Sequence, residues 1–379
     1  MLTAAAVLSI GASAPGLRAL VSLEDGKDHD YIDSTLQIGY DSNLFARAQS
    51  GGSMIYSGTL GTEFTRRAGW IGVNATAGIS FAEYGSYRSQ DYVDPKLTAE
   101  LTKQSGRTTG SLTVSVQKEN RTDIDTNTRD VSWNYEAGLN FQYPVIERYS
   151  ISGGLDYART DYQDRALFTN LQTYTGNLYL YYVLNEQRDL FIDYRERYVD
   201  EANGQYDIDE ALSAGVSGRV YGPFNGSLQV GYQVRSPYNT PNINGTYGNL
   251  TSTGTAAWNI SRRMTLTANV SKDLSNTAQA QSVDSTSGGL TFQDSLTAKA
   301  SVTFDTSVGQ NKFLNLQTVG LDPNARRIDT FFEFGAAYFY TINQHLKFDL
   351  NYTYYRNWSS LSIADFPREQ VNLEIKSHW

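Results

Sequence analysis

Side-chain polarity alternates with period two along most of this chain, and nothing else in the sequence restricts the fold so strongly. The segment from Glu369 to Trp379 shows the pattern at its clearest. Val371, Leu373, Ile375 and Trp379 share one face of a strand, while Asn372, Glu374, Lys376 and His378 share the other. Soluble domains rarely end on a bare tryptophan, because termini fray and are polar. The closing strand of a transmembrane β-barrel has reason to do so, since its last outward side chain lies at the membrane interface, where aromatics are enriched.

The same alternation recurs upstream, from Tyr31 on, with no convincing helical period. Leu36, Ile38 and Tyr40 oppose Thr35, Gln37 and Asp41; Ile71 to Phe81 and Val93 to Leu101 repeat the scheme. Short turns, such as 66–69, 144–148, 185–189 and 342–345, take turns with longer polar loops. Those loops are expected at 43–52, 118–130, 163–171, 198–206, 236–248, 274–284 and 307–327. In a bacterial barrel the short connections face the periplasm and the long ones the outside. Counting runs predicts about eighteen antiparallel strands in an up-and-down barrel with both ends on the short-turn side, the fourteenth and fifteenth lying around Gly288 to Phe304. A soluble chain of this kind would instead need a sandwich, propeller or solenoid, and no fixed short repeat supports the last two. Aromatics near strand ends, including Tyr143, Tyr149, Tyr338, Tyr340, Tyr352, Tyr354 and Trp358, suit two interfacial girdles.

Composition removes several function classes. Mean hydropathy is −0.44, and no later run approaches the roughly eighteen apolar residues of a membrane helix. Absence of cysteine removes disulfides, thiolate metal sites and a Cys nucleophile. The net charge of −9 argues against nucleic acid as a partner. Only three histidines occur, His29, His345 and His378. All are expected on the periplasmic side, which makes a His-dependent enzyme at the outer rim a poor reading; no catalytic role, cofactor or metal is expected. The stretch 123–130 has the Asp-x-Asp-x-Asn start of a calcium loop. Thr128 stands where glycine is needed and Asn134 where a bidentate Glu is needed, so a solvated acidic loop is the preferred reading. Residues 1–30 resemble an export signal plus leader without a basic n-region, leaving 31–379 as one barrel domain.

The inward register assigns a mixed, mostly neutral lumen. Its charged candidates are Glu100, Glu136, Asp156, Asp193, Arg195, Arg197, Arg219, Arg235, Lys299 and Asp349, joined by Tyr179 and Tyr181. Both signs occur, so a salt-bridged wall is one expectation; a basic patch of Arg195, Arg197 and Arg235 at the outer mouth is another. Such a lumen suits water and neutral polar solutes better than a strongly charged polymer.

The motif Gly39-Tyr40-Asp41-Ser42-Asn43-Leu44-Phe45, with the closing pattern from Tyr352-Thr353-Tyr354-Tyr355-Arg356 to Trp379, resembles the outer-membrane β-barrel porins found with exopolysaccharide gene clusters. The resemblance implies a barrel in the bacterial outer membrane that helps secrete a polysaccharide and has no catalytic residues. Expected partners are outer-membrane lipid, the barrel-assembly machinery, and polysaccharide or small hydrophilic solutes. A general diffusion porin and a plugged structural or adhesive barrel are the alternatives.

Overall fold

A computed structural model describes residues 21–23, 28–239, 245–315 and 326–379. The signal-like segment lies almost wholly outside the described residues, as do parts of the expected loops 236–248 and 307–327. The described residues form β1 (Val21–Leu23), β2 (Asp28–Asp41), β3 (Ser53–Ala68), β4 (Ile71–Tyr84), β5 (Tyr92–Lys103), β6 (Thr109–Asp123), β7 (Thr128–Ile146), β8 (Tyr149–Tyr162), β9 (Leu171–Asn185), β10 (Arg188–Glu201), β11 (Tyr206–Tyr221), β12 (Phe224–Tyr238), β13 (Tyr247–Asn259), β14 (Met264–Asn276), β15 (Ser282–Asp294), β16 (Ala300–Phe313), β17 (Ile328–Thr341), β18 (Leu346–Ser359) and β19 (Phe366–His378). Apart from β1, which pairs with the first residues of β2, these strands form a closed antiparallel ring of 18.

Closure rests on β19 and β2, which pair from Gln370 opposite Asp41 to His378 opposite Asp33. Backbone bonds between Ile32 and Trp379, at 2.8 and 3.0 Å, extend the seam. Inside, Gln37 Nε2 donates to Asn372 Oδ1 at 2.8 Å. At the periplasmic end, the rings of His345 and Trp379 stack at 4.2 Å, and His378 Nδ1 lies 2.5 Å from Asp33 Oδ1. A sheet in hydrocarbon must close in this way because lipid satisfies no edge amide.

The outer face is apolar, as expected. Leu36 is 65% exposed, and Leu60, Ile79, Val93, Leu97, Leu212, Val371, Leu373 and Ile375 also face outward. Aromatics mark both interfaces: Trp70, Tyr149, Tyr221 and Trp379 below, Tyr40, Tyr232, Tyr238 and Trp358 above. On the outer wall of β8 to β12 five tyrosines join hands. Tyr157, Tyr174, Tyr198, Tyr206 and Tyr238 have successive ring centroids 5.1, 6.2, 5.5 and 4.6 Å apart. Each ring has an apolar face for lipid and a hydroxyl for the headgroups.

The 18 barrel strands run from 12 residues in β5 to 19 in β7, whereas about 9–11 residues cross the hydrocarbon core. The surplus corrects three expected loops. Most of 118–130 is the tops of β6 and β7, leaving 124–127 as the connection. Likewise 198–206 and 274–284 shrink to 202–205 and 277–281. Above the membrane a strand has no lipid to face, so its alternation lapses and it resembles a loop in sequence. The fourteenth and fifteenth barrel strands are also reset: β15 ends at Asp294, the turn occupies 295–299, and β16 runs on to Phe313 through what was expected as loop. The barrel begins at Asp28, three residues before the expected boundary.

Four prolines lie within strands, each where a ladder is open on one side. Pro95 pairs with Ile79 of β4, but β5–β6 pairing goes no further up than Lys96 opposite Gln117. Pro237 pairs with Asp207, while β12–β13 pairing stops at Arg235. Pro367 pairs with Arg356, while β19–β2 pairing begins at Gln370. Pro144 sits beyond the β6–β7 ladder and beside a bulge. A residue without an amide hydrogen ends a ladder at little cost only there.

Candidate functional site

The lumen is the candidate site, and two hairpins shape its outer mouth. Above Lys96, β5 parts from β6, and the top of the β6–β7 hairpin has no strand paired on that side, where Lys118 still reaches Asp94 at 3.4 Å. It leans inward to the first outer loop: Thr122 Oγ1 donates to the Leu44 carbonyl and Asn127 Nδ2 to the Ala46 carbonyl, both at 2.6 Å. Its tip also meets the opposite wall. Asn311 Nδ2 of β16 donates to Asp125 Oδ1 at 3.4 Å, and Arg327 donates to the carbonyls of Asp125 and Ile124. Arg327 is itself buried, forked onto Asp329 and laid over the Phe313 ring at 4.4 Å. Within this tip Asp123 Oδ1 accepts the amides of Asp125 and Thr126, at 2.8 and 3.3 Å, so the calcium-like spacing encodes a turn.

The second hairpin is β14–β15. Pairing of β13 with β14 ends at Ser252 opposite Lys272, while β14–β15 pairing continues to Asn276 opposite Ser282. Freed from β13, the tip folds over the lumen. Ala278 packs with Tyr162 and Phe168 of the β8–β9 region, and its carbonyl accepts the Thr169 amide at 2.8 Å.

A charge network ties this tip to β10, β11 and β12. Arg235 is 1% exposed and forks onto Asp209, with bonds of 2.6 and 2.7 Å. Its Nη1 lies 3.3 Å from Asp207 and donates to the Ser275 carbonyl at 3.1 Å. Arg197 shares Asp209 at 2.6 Å and reaches Asp273 at 3.1 Å. Arg195 reaches Asp273 at 2.7 Å and Gln233 at 3.1 Å. Strands lie about 4.8 Å apart, so β10 and β14 are separated by about 19 Å of wall, further than two side chains span. The contact between Arg195 and Asp273 therefore requires β14 to bend inward.

These arginines are thus not the open basic patch that the sequence suggested. Asp207, Asp209 and Asp273 neutralise them, and the salt-bridged wall is the arrangement present. The three carboxylates escaped the sequence reading because they border segments taken for loops. The signal was there: Asp207 and Asp209 keep the inward parity of Ser213.

Other candidates fall into place around the wall. Asp193, 3% exposed, lies opposite Tyr179 in the β9–β10 ladder. Glu100 accepts a bond from Thr102 and Glu136 one from Ser115, both at 3.3 Å. Asp349 pairs with Lys376 at 2.8 Å. Two candidates move to the periplasmic rim. Arg219 is pinned there by the Gly222 carbonyl at 2.7 Å and Gln187 at 3.2 Å. Lys299 lies in the turn 295–299, exposed, and donates to the Ile342 carbonyl at 3.3 Å, so it does not line the wall.

Tyr179 and Tyr181 do face inward, between the exposed Leu178 and Leu180 and the exposed Leu184. Their rings stack at 5.9 Å, with an interplanar angle of 24°. Phe191, buried, packs on both at 5.9 and 5.3 Å. Beside them a recess of about 600 Å³ opens in the periplasmic half, among Glu100, Asn140, Gln142, Ser152, Asn177 and Tyr179. The histidines all lie at the periplasmic end, as expected, in β2, the β17–β18 turn and β19.

A closed barrel with an apolar belt, two aromatic girdles and a polar interior is the architecture of a porin. Residues 33–378 match the family model described as "Putative beta-barrel porin 2". The chain belongs to that porin family. Among solved structures, the porin is similar in fold to Pseudomonas aeruginosa OccK2 (OpdF), solved in complex with glucuronate, at 10% identity and a TM-score of 0.51, covering 94% of this chain and 98% of that one. Acinetobacter baumannii OccAB2 gives 9% identity and a TM-score of 0.51 over 93% and 98%. Pseudomonas aeruginosa OpdL gives 11% and 0.50 over 93% and 98%. No curated protein matches the chain. Family and fold place this porin in the bacterial outer membrane, among channels rather than enzymes.

Proposed function

We propose that this barrel passes hydrophilic solutes across the outer membrane and assists exopolysaccharide secretion. The observation that carries this is the inner wall of β5 to β9. Amide and hydroxyl side chains there surround a stacked tyrosine pair on the periplasmic side, where a polymer made inside would enter. Neutral amides both donate to and accept from sugar hydroxyls, and tyrosine faces suit the apolar side of a sugar ring. Outer-membrane lipid around the belt, and the barrel-assembly machinery that inserts the chain, are the other partners in this reading.

The test has two parts. The purified barrel, inserted in a planar bilayer, gives steady single-channel openings, and a strain lacking the gene releases less polysaccharide into its medium. Openings together with unchanged secretion favour a general diffusion porin. A second reading, a plugged surface barrel, is favoured by the β6–β7 tip bonded across the mouth to Arg327. It requires that no steady openings occur.

A further inference from the structure

We propose that the recess bordered by Tyr179 is a binding subsite for an uncharged sugar unit, a proposal that rests on the saccharide-passing reading above. Four features converge there.

The first is the shape of the aromatic pair. Phe191 packs on both tyrosine rings from the neighbouring strand, so Tyr179 and Tyr181 are held as a stacked pair one strand repeat apart, with Tyr179 at the recess. They lie along the direction of transit. Rings held in place by a buried neighbour lose little freedom when a ligand stacks on them.

The second is the chemistry of the walls. Asn140, Gln142 and Asn177 supply carboxamides and Ser152 a hydroxyl. Each carboxamide carries two donors and one acceptor oxygen, the mixture that vicinal hydroxyls require.

The third is the floor. Gly154 sits between Asn140 and Asn177 with no side chain of its own. A Cβ placed there would stand 2.8 Å from Asn140 Oδ1. One strand over, a Cβ on Gly138 would stand 2.9 Å from Asp156 Oδ1. Larger residues at these two positions would crowd the amide and the carboxylate and raise the floor.

The fourth is charge. The inward acidic groups at the recess and beside it are Glu100, Glu136, Asp156 and, opposite Tyr179, Asp193. The cation bordering it, Lys103, has the outward parity of Leu101 in β5. A negatively charged sugar acid meets like charge on four strands, β5, β7, β8 and β10, whereas a neutral hexose meets hydrogen-bonding groups that accept it. Arg195, opposite Asn177 in the β9–β10 ladder, is turned to Asp273 at 2.7 Å, while Arg197 and Arg235 lie higher and are engaged by aspartates. The site therefore selects neutral sugars over uronates.

The experiment is calorimetric titration of the full-length barrel in detergent with a linear neutral gluco-oligosaccharide, and in parallel with an oligogalacturonate of equal length. Wild type binds the neutral chain more tightly than the acidic one. Tyr179→Leu, which keeps bulk but removes the flat face, weakens neutral binding by about tenfold. Asn140→Ala weakens it independently, and heat-modifiable gel mobility confirms that each variant has closed its barrel. Absence of binding by wild type, preference for the uronate, or unchanged affinity in both variants overturns the subsite. Binding in detergent does not require an open pore. A barrel that binds sugar but never conducts therefore refutes the channel reading alone, and one that conducts without binding sugar refutes the subsite alone.

Discussion

Replacing Asp209 with Asn tests whether the charge network holds the upper barrel together. Asp209 is fully buried and accepts from two arginines at once, Arg235 at 2.6 and 2.7 Å and Arg197 at 2.6 Å. Breaking a buried pair by removing one partner costs about 3–5 kcal/mol, because a charge is left uncompensated. Here the loss is cushioned. Arg235 retains Asp207 at 3.3 Å and the Ser275 carbonyl at 3.1 Å, and Arg197 retains Asp273 at 3.1 Å. The expected cost is therefore at the low end, about 3 kcal/mol, which is about 150-fold in the folded-to-unfolded ratio. The assay is urea unfolding of the refolded full chain in detergent micelles, followed by tryptophan fluorescence. Arg219→Gln, at the exposed periplasmic rim, serves as the comparison and shifts stability by no more than about 0.5 kcal/mol. If Asp209→Asn costs no more than that control, water already screens the network, and the reasoning about the inward-bent β14 fails.

Three further outcomes follow from the wall itself. Leu373→Arg, on the lipid face of the closing strand, destabilises the barrel by about 2–4 kcal/mol near the bilayer midplane, while Asn372→Arg, one residue away and facing the lumen, costs less; equal costs in lipid vesicles would mean the belt does not meet hydrocarbon. Gly226→Ala places a Cβ 1.9 Å from the Thr255 carbonyl oxygen of the adjacent strand, so that strand must shift, at about 1–3 kcal/mol, and the heat-modifiable fraction after refolding falls. Because the chain has no cysteine, the double variant Asp125→Cys with Asn311→Cys can be bridged by a short bismaleimide without side reactions; bridging lowers single-channel conductance if the β6–β7 tip must move, and unchanged conductance shows that solute passes beside it.

How much of this was legible in the sequence depended on whether lipid lay outside the strand. Where it did, each outward position had to be apolar, and the register of β4, β5 and β19 could be read residue by residue. The inward direction of Tyr179 and Tyr181 followed from the leucines around them. Above the bilayer that constraint disappears. The tops of β6, β7, β10 and β14 passed for loops, and Asp207, Asp209 and Asp273, which border those segments in β11 and β14, were passed over with them. Lys299 was misplaced for a related reason: Leu296, Ala298 and Ala300 continue the alternation into what is a turn. Partners six or more strands apart, such as Asp125 and Arg327, leave no local trace at all.

The prolines and parted ladders have a mechanical consequence. Above Lys96 and Lys272 the backbone ladder joins the β6–β7 hairpin to the wall only through β8 and the β14–β15 hairpin only through β16, and side-chain contacts across the mouth hold the tips. Swinging either one exchanges polar contacts at the rim and breaks no main-chain bond at bilayer depth. The fold thereby keeps two jobs apart: an unbroken seal around the acyl chains, and hairpin tips at the cell surface that pack across the mouth.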